Sequence, residues 1–260
     1  MPVHAILGAT GSTGSAVLRC LLASEIPDLT INILVRSKSK LLAAFPQLAN
    51  APAAAVNIFE GPVSNEDALT ACVQNASVIY LCVATNNSAH KVDIAFSTAA
   101  RLITALGQLR KARGLEYKPP VVLFNRSLSL STEVKLPIPG FMKNFLMWGL
   151  GVIYEDLERA SLLYSLAEKD ELLACITADG PMLMDAEGTE ATGYELLRHG
   201  TSSWYLSYAD LGTALVELGQ RRQEFEGRAV GVSATGKVRT TWGSSIWIML
   251  LGLRYRLIPF

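Results

Sequence analysis

Residues 6–18 read ILGATGSTGSAVL, with Gly8, Gly11 and Gly14 three apart between an apolar run and a periodic one. Val3 to Leu7 is suited to a short buried strand. From Ser12 to Ala23 the apolar residues recur at helical spacing, so the glycines fall on a strand-to-helix junction. Gly8 can take a backbone conformation closed to other residues, Gly11 lets the main chain approach a pyrophosphate, and Gly14 lets the helix lie close to the sheet. The first-turn amides and the helix dipole then face the anion. Three glycines in a tight turn also occur without a ligand. What points to a dinucleotide is the second strand, Thr30 to Val35, at the distance a βαβ unit requires.

That strand leads into Arg36, 22 residues beyond Gly14. Asp or Glu there would hold the ribose hydroxyls of NAD, whereas an arginine can pair with the 2′-phosphate of NADP. Ser37, Lys38 and Lys40 follow. Elsewhere this would read as a solvated basic loop, but its place in the fold favours NADP(H).

Further apolar strand candidates lie at Val56–Phe59, Val78–Val83, Val121–Phe124, Leu172–Thr177 and Ala229–Val232, with helical segments between them. The alternation predicts a Rossmann-like, doubly wound parallel sheet covered on both faces, in one α/β domain of residues 1–260. Residues 126–153 and 178–260 are expected on the substrate side, the latter as a small C-terminal lobe. Ligands in such sheets sit at the carboxyl ends of the strands. The loops to inspect are therefore Ala84–Asn87, Asn125–Ser127 and Asp179–Met182.

Half of the 260 residues are hydrophobic, enough for a large core, and 23 Lys plus Arg balance 23 Asp plus Glu. No basic excess suggests nucleic acid or an anionic membrane surface. Cys20, Cys72, Cys82 and Cys175 are too scattered for a zinc site or redox motif and read as small buried residues in a reducing compartment. His4, His90 and His199 also lack metal-ligand spacing, so no metal is expected. The N-terminus shows no secretory pattern, and a cytoplasmic monomer or homodimer is expected. The apolar tail Trp242–Phe260 is interrupted by Arg254, Arg256 and Pro259 too early for a membrane span of about 20 residues. It reads as a buried helix, and also fits a channel wall or an oligomer contact.

GATGSTG with ILVRS, then ASVIYLCVA, VVLFNRS, TADGPMLMD and SYADLGTALVEL, resemble in order and spacing the NmrA-like, NAD(P)H-binding atypical short-chain dehydrogenases/reductases. The likeness covers nearly the whole chain. YEDLERA, SYADLGTALVEL and the tail GLRYRLIP are similar to fungal members encoded beside polyketide synthases. The resemblance implies a Rossmann fold, an NADP(H) site and a small apolar substrate. It would place Gly8, Thr10, Gly11, Ser12, Thr13 and Gly14 on the pyrophosphate and Arg36 on the 2′-phosphate. Ala84 and Thr85 would flank the adenosine and its ribose, with Ser127, Gly180 and Pro181 beside the nicotinamide.

Three departures matter. Gly61 is followed by Pro62, where the family often has Asp touching adenine, and the strand before Pro181 reads TADG without the frequent arginine. The third is chemical. Typical members use a tyrosine with a lysine four residues later, and no tyrosine here has one. Tyr154, 27 residues beyond Ser127, is the best positional candidate, but its fourth neighbour is Glu158. A carboxylate beside a phenol disfavours phenolate, so Tyr154 suits a neutral proton donor; it could also simply pack a helix start. Ser127 fits a hydrogen-bond donor to a carbonyl and has no histidine nearby to make it a nucleophile.

The segment LPIPGFMKNFLMWGLGVIY, residues 136–154, offers an apolar run that could line an aromatic-accepting pocket or pack as an ordinary helix, as could Trp204, Tyr205 and Tyr208. Together these features predict an NADPH-dependent reductase of a small, largely apolar carbonyl or quinone-like substrate. A non-redox isomerase or cyclase on the same fold, and an NADP(H)-sensing regulator without turnover, are the alternatives.

Overall fold

A computed structural model describes residues 2–50, 55–85 and 92–240. In chain order the elements are β1 (Val3–Leu7), α1 (Ser12–Leu22), β2 (Thr30–Val35), α2 (Lys38–Ala44), β3 (Val56–Glu60), α3 (Glu66–Val73), β4 (Val78–Leu81) and α4 (Ile94–Arg113). Then come β5 (Val121–Ser127), β6 (Val134–Lys135), α5 (Gly140–Gly149), α6 (Gly151–Lys169), β7 (Ala174–Gly180) and β8 (Met182–Met184). The described chain closes with β9 (Tyr194–Leu197), β10 (Gly200–Thr201), β11 (Tyr205–Ser207), α7 (Tyr208–Gln220), α8 (Arg222–Phe225) and β12 (Arg228–Ala234).

Eight strands form the main sheet in the order β3-β2-β1-β4-β5-β7-β12-β9, all parallel except β9, which runs antiparallel to β12. The expected doubly wound parallel sheet is present, with one antiparallel edge added. Two short parallel pairs, β6 with β10 and β8 with β11, lie outside it.

Side-chain alternation along each strand divides the core between the two faces of the sheet. Ile6, Tyr80 and Leu123 join Val17, Leu21, Leu211 and Leu215 of α1 and α7 on one face. Ala5, Leu7, Ile79 and Phe124 join Leu69, Leu102, Leu106 and Tyr164 of α3, α4 and α6 on the other. Burying strands on both faces produces the near-continuous apolar runs seen in the sequence.

β1 and β2 have the expected limits, but the later strands shift. β4 ends at Leu81, short of Val83; β5 runs on through Asn125, Arg126 and Ser127; β7 extends to Gly180. Asn125–Ser127, expected in a loop, is thus wholly strand, and of Asp179–Met182 only Pro181 is not, because the β5–β7 ladder continues to the Ser127–Gly180 pair and β8 begins at Met182. The tail Trp242–Phe260, together with Asn86, Asn87 and His90, lies outside the described residues. Among the described residues no helix is long and apolar enough to cross a membrane.

Candidate functional site

β1 lies between β2 and β4, so the chain leaves on opposite sides of it and opens a crevice at the carboxyl ends of β1 and β4. The glycine turn sits there. Gly8 has φ +94°, and a Cβ on it would lie 2.8 Å from the Cys82 carbonyl oxygen just past β4. Gly14 is tighter: its Cβ would fall 2.2 Å from the Gly8 carbonyl oxygen, so this glycine seats the helix on the turn itself and not only near the sheet. Gly11 differs from both. It is exposed with φ −81°, and a Cβ there would meet nothing closer than 3.6 Å. The packing of the described residues does not demand a glycine at that position.

The turn is closed by Gly11 N–H donating to the Gly8 carbonyl and Ser15 N–H to the Gly11 carbonyl. The amides of Ser12, Thr13 and Gly14 open α1 without intrahelical acceptors, and no acidic residue stands in the first turn. A positively polarised helix end, with no side chain of the described residues within 4 Å of a Cβ on Gly11, fits a pyrophosphate.

α1 is held in place from its far side. A Cβ on Gly212 would lie 2.6 Å from Ala16 Cβ, so α7 lies directly on α1 at that point. The buried Asp210 carboxylate accepts hydrogen bonds from the Ser207 hydroxyl (2.6 Å), the Thr192 amide (2.7 Å), the Gly193 amide and the Thr192 hydroxyl (both 2.9 Å). The SYADLG stretch therefore fixes the backing of the cofactor helix.

Arg36 follows β2, is exposed, and has no hydrogen-bond or ion-pair partner among the described residues. The same corner holds Ser37, whose hydroxyl caps α2 through Lys40 N–H, and Glu60, which accepts from Lys38 N–H at 2.9 Å. Ala84 and Thr85 follow β4 as expected, Ala84 exposed and Thr85 half-buried.

At the end of β5 the sheet gathers the other candidates. Ser127 pairs across the ladder with Gly180, which Pro181 follows, both of the latter buried. α6 brings in Tyr154, only 7% exposed, with its hydroxyl between two serines: Ser127 donates to it and it donates to Ser129, each at 3.4 Å. Glu158 is exposed and forms no hydrogen bond with Tyr154 among the described residues, so it does not take the place of the missing lysine.

Other residues here were not assigned roles from the sequence. Ser129 completes the hydroxyl cluster. Asp156, 2% exposed, turns from α6 to accept the amides of Ala95 and Phe96 at 2.8 and 3.0 Å, capping α4 from another helix. Arg126 and Asp179 form a bidentate pair at 2.8 and 2.9 Å across β5 and β7, with Asp179 fully buried. The pair joins the ends of β5 and β7. Asn125 Oδ1 is buried without a hydrogen-bond partner among the described residues.

The aromatic run on α5 faces outward: Phe141 is 74% exposed, and Phe145 and Trp148 are also exposed. Trp204 is exposed as well, beside Tyr205. His4 is buried, its Nδ1 3.2 Å from the Tyr80 hydroxyl, and burial lowers its pKa to about 4. His199 is exposed beside Glu133. Among the described residues no cluster could hold a metal ion; the cysteines are free, and burial pushes the Cys175 thiol up to about 12, leaving it protonated and inert.

A family model described as NAD(P)H-binding matches residues 8–113, from the first glycine of the turn to the end of α4. Averufin oxidase A of Aspergillus flavus is 41% identical over 257 residues, covering 99% of this chain and 91% of that protein. An averufin oxidase of Emericella nidulans is 42% identical, covering 97% of this chain and 89% of that one. Among solved structures, a short-chain dehydrogenase/reductase from Veillonella parvula in complex with NADP superposes with a TM-score of 0.65 over 90% of this chain and 95% of that one, at 18% identity. The turn, the sheet order and these relatives agree: the chain belongs to the averufin oxidase family of NAD(P)H-binding oxidoreductases, built on a Rossmann fold of the short-chain dehydrogenase/reductase type.

Proposed function

We propose that the protein is an NADP(H)-dependent reductase of a small, largely apolar or aromatic carbonyl or quinone-like substrate, acting in secondary-metabolite biosynthesis in the cytoplasm. The observation that carries this reading is the Ser127–Tyr154–Ser129 hydroxyl cluster, held at the carboxyl end of the same sheet that presents the glycine turn. In this reading Gly8, Thr10, Gly11, Ser12, Thr13 and Gly14 hold the pyrophosphate, Arg36 the 2′-phosphate, and Ala84 and Thr85 the adenosine side. Gly180 and Pro181 border the nicotinamide. Bound cofactor supplies hydride chemistry at its nicotinamide C4.

The chain's own part is to place the substrate and manage a proton. A carbonyl oxygen seated against Tyr154 and Ser127 gains negative charge as its carbon is reduced, and the two hydroxyls, turning toward it from Ser129 and Tyr154, stabilise that charge. Tyr154 then passes its proton to the oxygen, with Ser129 orienting the phenol from the other side. The relatives named averufin oxidase are described by oxidation; the same constellation run backwards accepts a proton from an alcohol.

The test is single-turnover label transfer from stereospecifically deuterated NADPH to averufin and to simple aromatic ketones and quinones. Deuterium in the product, with loss of rate in Tyr154→Phe, is expected. Turnover without label transfer, or at full rate with no nicotinamide present, would establish the isomerase reading instead. Binding without chemistry on the authentic substrate would favour the sensor.

A further inference from the structure

Asn125 carries a feature the mechanism above does not use. It stands two residues before Ser127 on β5, opposite Ala178 of β7, and its Oδ1 is buried with no hydrogen-bond partner among the described residues. Buried polar side-chain atoms nearly always have a partner, so one left over at a binding site marks where a ligand's donor belongs. Among the described residues the neighbouring side chains donate elsewhere. Arg126 spends its Nε and Nη2 on Asp179, and Ser127 donates to Tyr154.

Gly180 is a neighbour of the orphan. A Cβ built there would lie 3.9 Å from Asn125 Oδ1, 3.6 Å from Leu183 Cδ2 and 3.9 Å from Leu206 Cδ2. This is one acceptor among leucine side chains, at a glycine the reading above sets against the nicotinamide. The reacting carbonyl oxygen of a substrate is itself an acceptor and would leave the oxygen unpaired. The nicotinamide carboxamide brings an N–H₂. We propose that Asn125 is a cofactor-positioning residue whose Oδ1 accepts from that carboxamide and so fixes which face of the ring meets the substrate. The assignment rests on the NADP(H) reading of the site.

Three ligands separate its parts: NADP⁺, 2′,5′-ADP, which lacks the nicotinamide, and 3-acetylpyridine adenine dinucleotide phosphate, whose amide nitrogen is replaced by methyl. In the unaltered protein the acetylpyridine analogue should bind about tenfold more weakly than NADP⁺. Asn125→Leu should lose about tenfold for NADP⁺, keep its affinity for 2′,5′-ADP, and no longer distinguish the analogue from NADP⁺. Its melting temperature without ligand should not fall, because the removed oxygen had no partner to lose. Gly180→Ala, whose methyl has only ordinary contacts with its neighbours, should repeat the selective NADP⁺ loss with Asn125 intact.

Equal losses for NADP⁺ and 2′,5′-ADP, or an unaltered protein that does not discriminate against the analogue, would overturn the assignment while leaving the cofactor reading standing. Failure of the unaltered protein to bind either NADP⁺ or 2′,5′-ADP would overturn both.

Discussion

In the turn after β1, backbone atoms make the contacts: amides face outward from α1, and Gly8 and Gly14 allow carbonyls to come within van der Waals range of neighbouring chain. At the end of β5 the work falls to side chains, with Ser127, Ser129 and Tyr154 converging from one strand, the turn after it and a helix 27 residues on from Ser127. The first region requires the absence of side chains at fixed spacing, and one sequence pattern satisfies that need. The second requires particular groups at a point in space, which many spacings can reach. Related enzymes can therefore share the turn while differing in the chemistry, as this chain does in lacking a lysine four residues after Tyr154.

The sharpest way to break that contrast is within the turn. Gly14→Val would drive a Cβ to 2.2 Å from the Gly8 carbonyl, and the protein should fail to fold or lose most of its cooperative melting transition. A Cβ on Gly11 would meet nothing closer than 3.6 Å, so Gly11→Val should melt almost normally yet bind no NADPH in a fluorescence titration. If both variants fold and both bind, the turn is not a dinucleotide cradle.

Next in size is the Arg126–Asp179 pair, which ties β5 to β7 one residue before Ser127 and Gly180. Asp179→Leu leaves a largely buried guanidinium unpaired and should cost about 3–5 kcal/mol in denaturant unfolding. The double variant Arg126→Leu/Asp179→Leu should recover most of that loss. A single variant of normal stability would show that side chains do not set the geometry of this end.

How far the sequence carries follows from the same contrast. β1, β2 and the turn are legible because burial on both faces leaves apolar runs, and tight backbone approach leaves glycines. The end of β5 is harder to read, since Asn125, Arg126 and Ser127 look like a polar loop yet continue the ladder to Gly180. Ser127 and Tyr154 can be nominated by position; Ser129 and the Arg126–Asp179 pair require the register and the helix placement to be known. The α5 aromatics show the converse, because an apolar composition does not say which way a helix faces.

Tyr154→Phe probes the side-chain region alone. It removes the central hydroxyl of the cluster while keeping the buried ring, so melting should change little and single-turnover reduction should slow by about 10². Ser129→Ala, which loses one orienting contact, should slow it less. A phenylalanine variant that works at full rate would make Tyr154 a packing residue and move the proton donor to Ser127.

The smallest expected effect lies at the corner beyond β2, where a side chain completes the backbone-built half of the site. Arg36 is exposed and unpaired among the described residues, so its guanidinium is available to a 2′-phosphate, but water screens the contact. Arg36→Ala should therefore weaken NADPH by about tenfold and leave NADH unchanged, with the NADPH loss shrinking as salt is raised. Glu60, already bound to Lys38 N–H, places a carboxylate at the same corner, so Glu60→Gln should shift preference slightly further toward NADPH. Equal affinity for the two cofactors in the unaltered protein would remove Arg36 from the site and leave the glycine turn as a cradle indifferent to the 2′-phosphate.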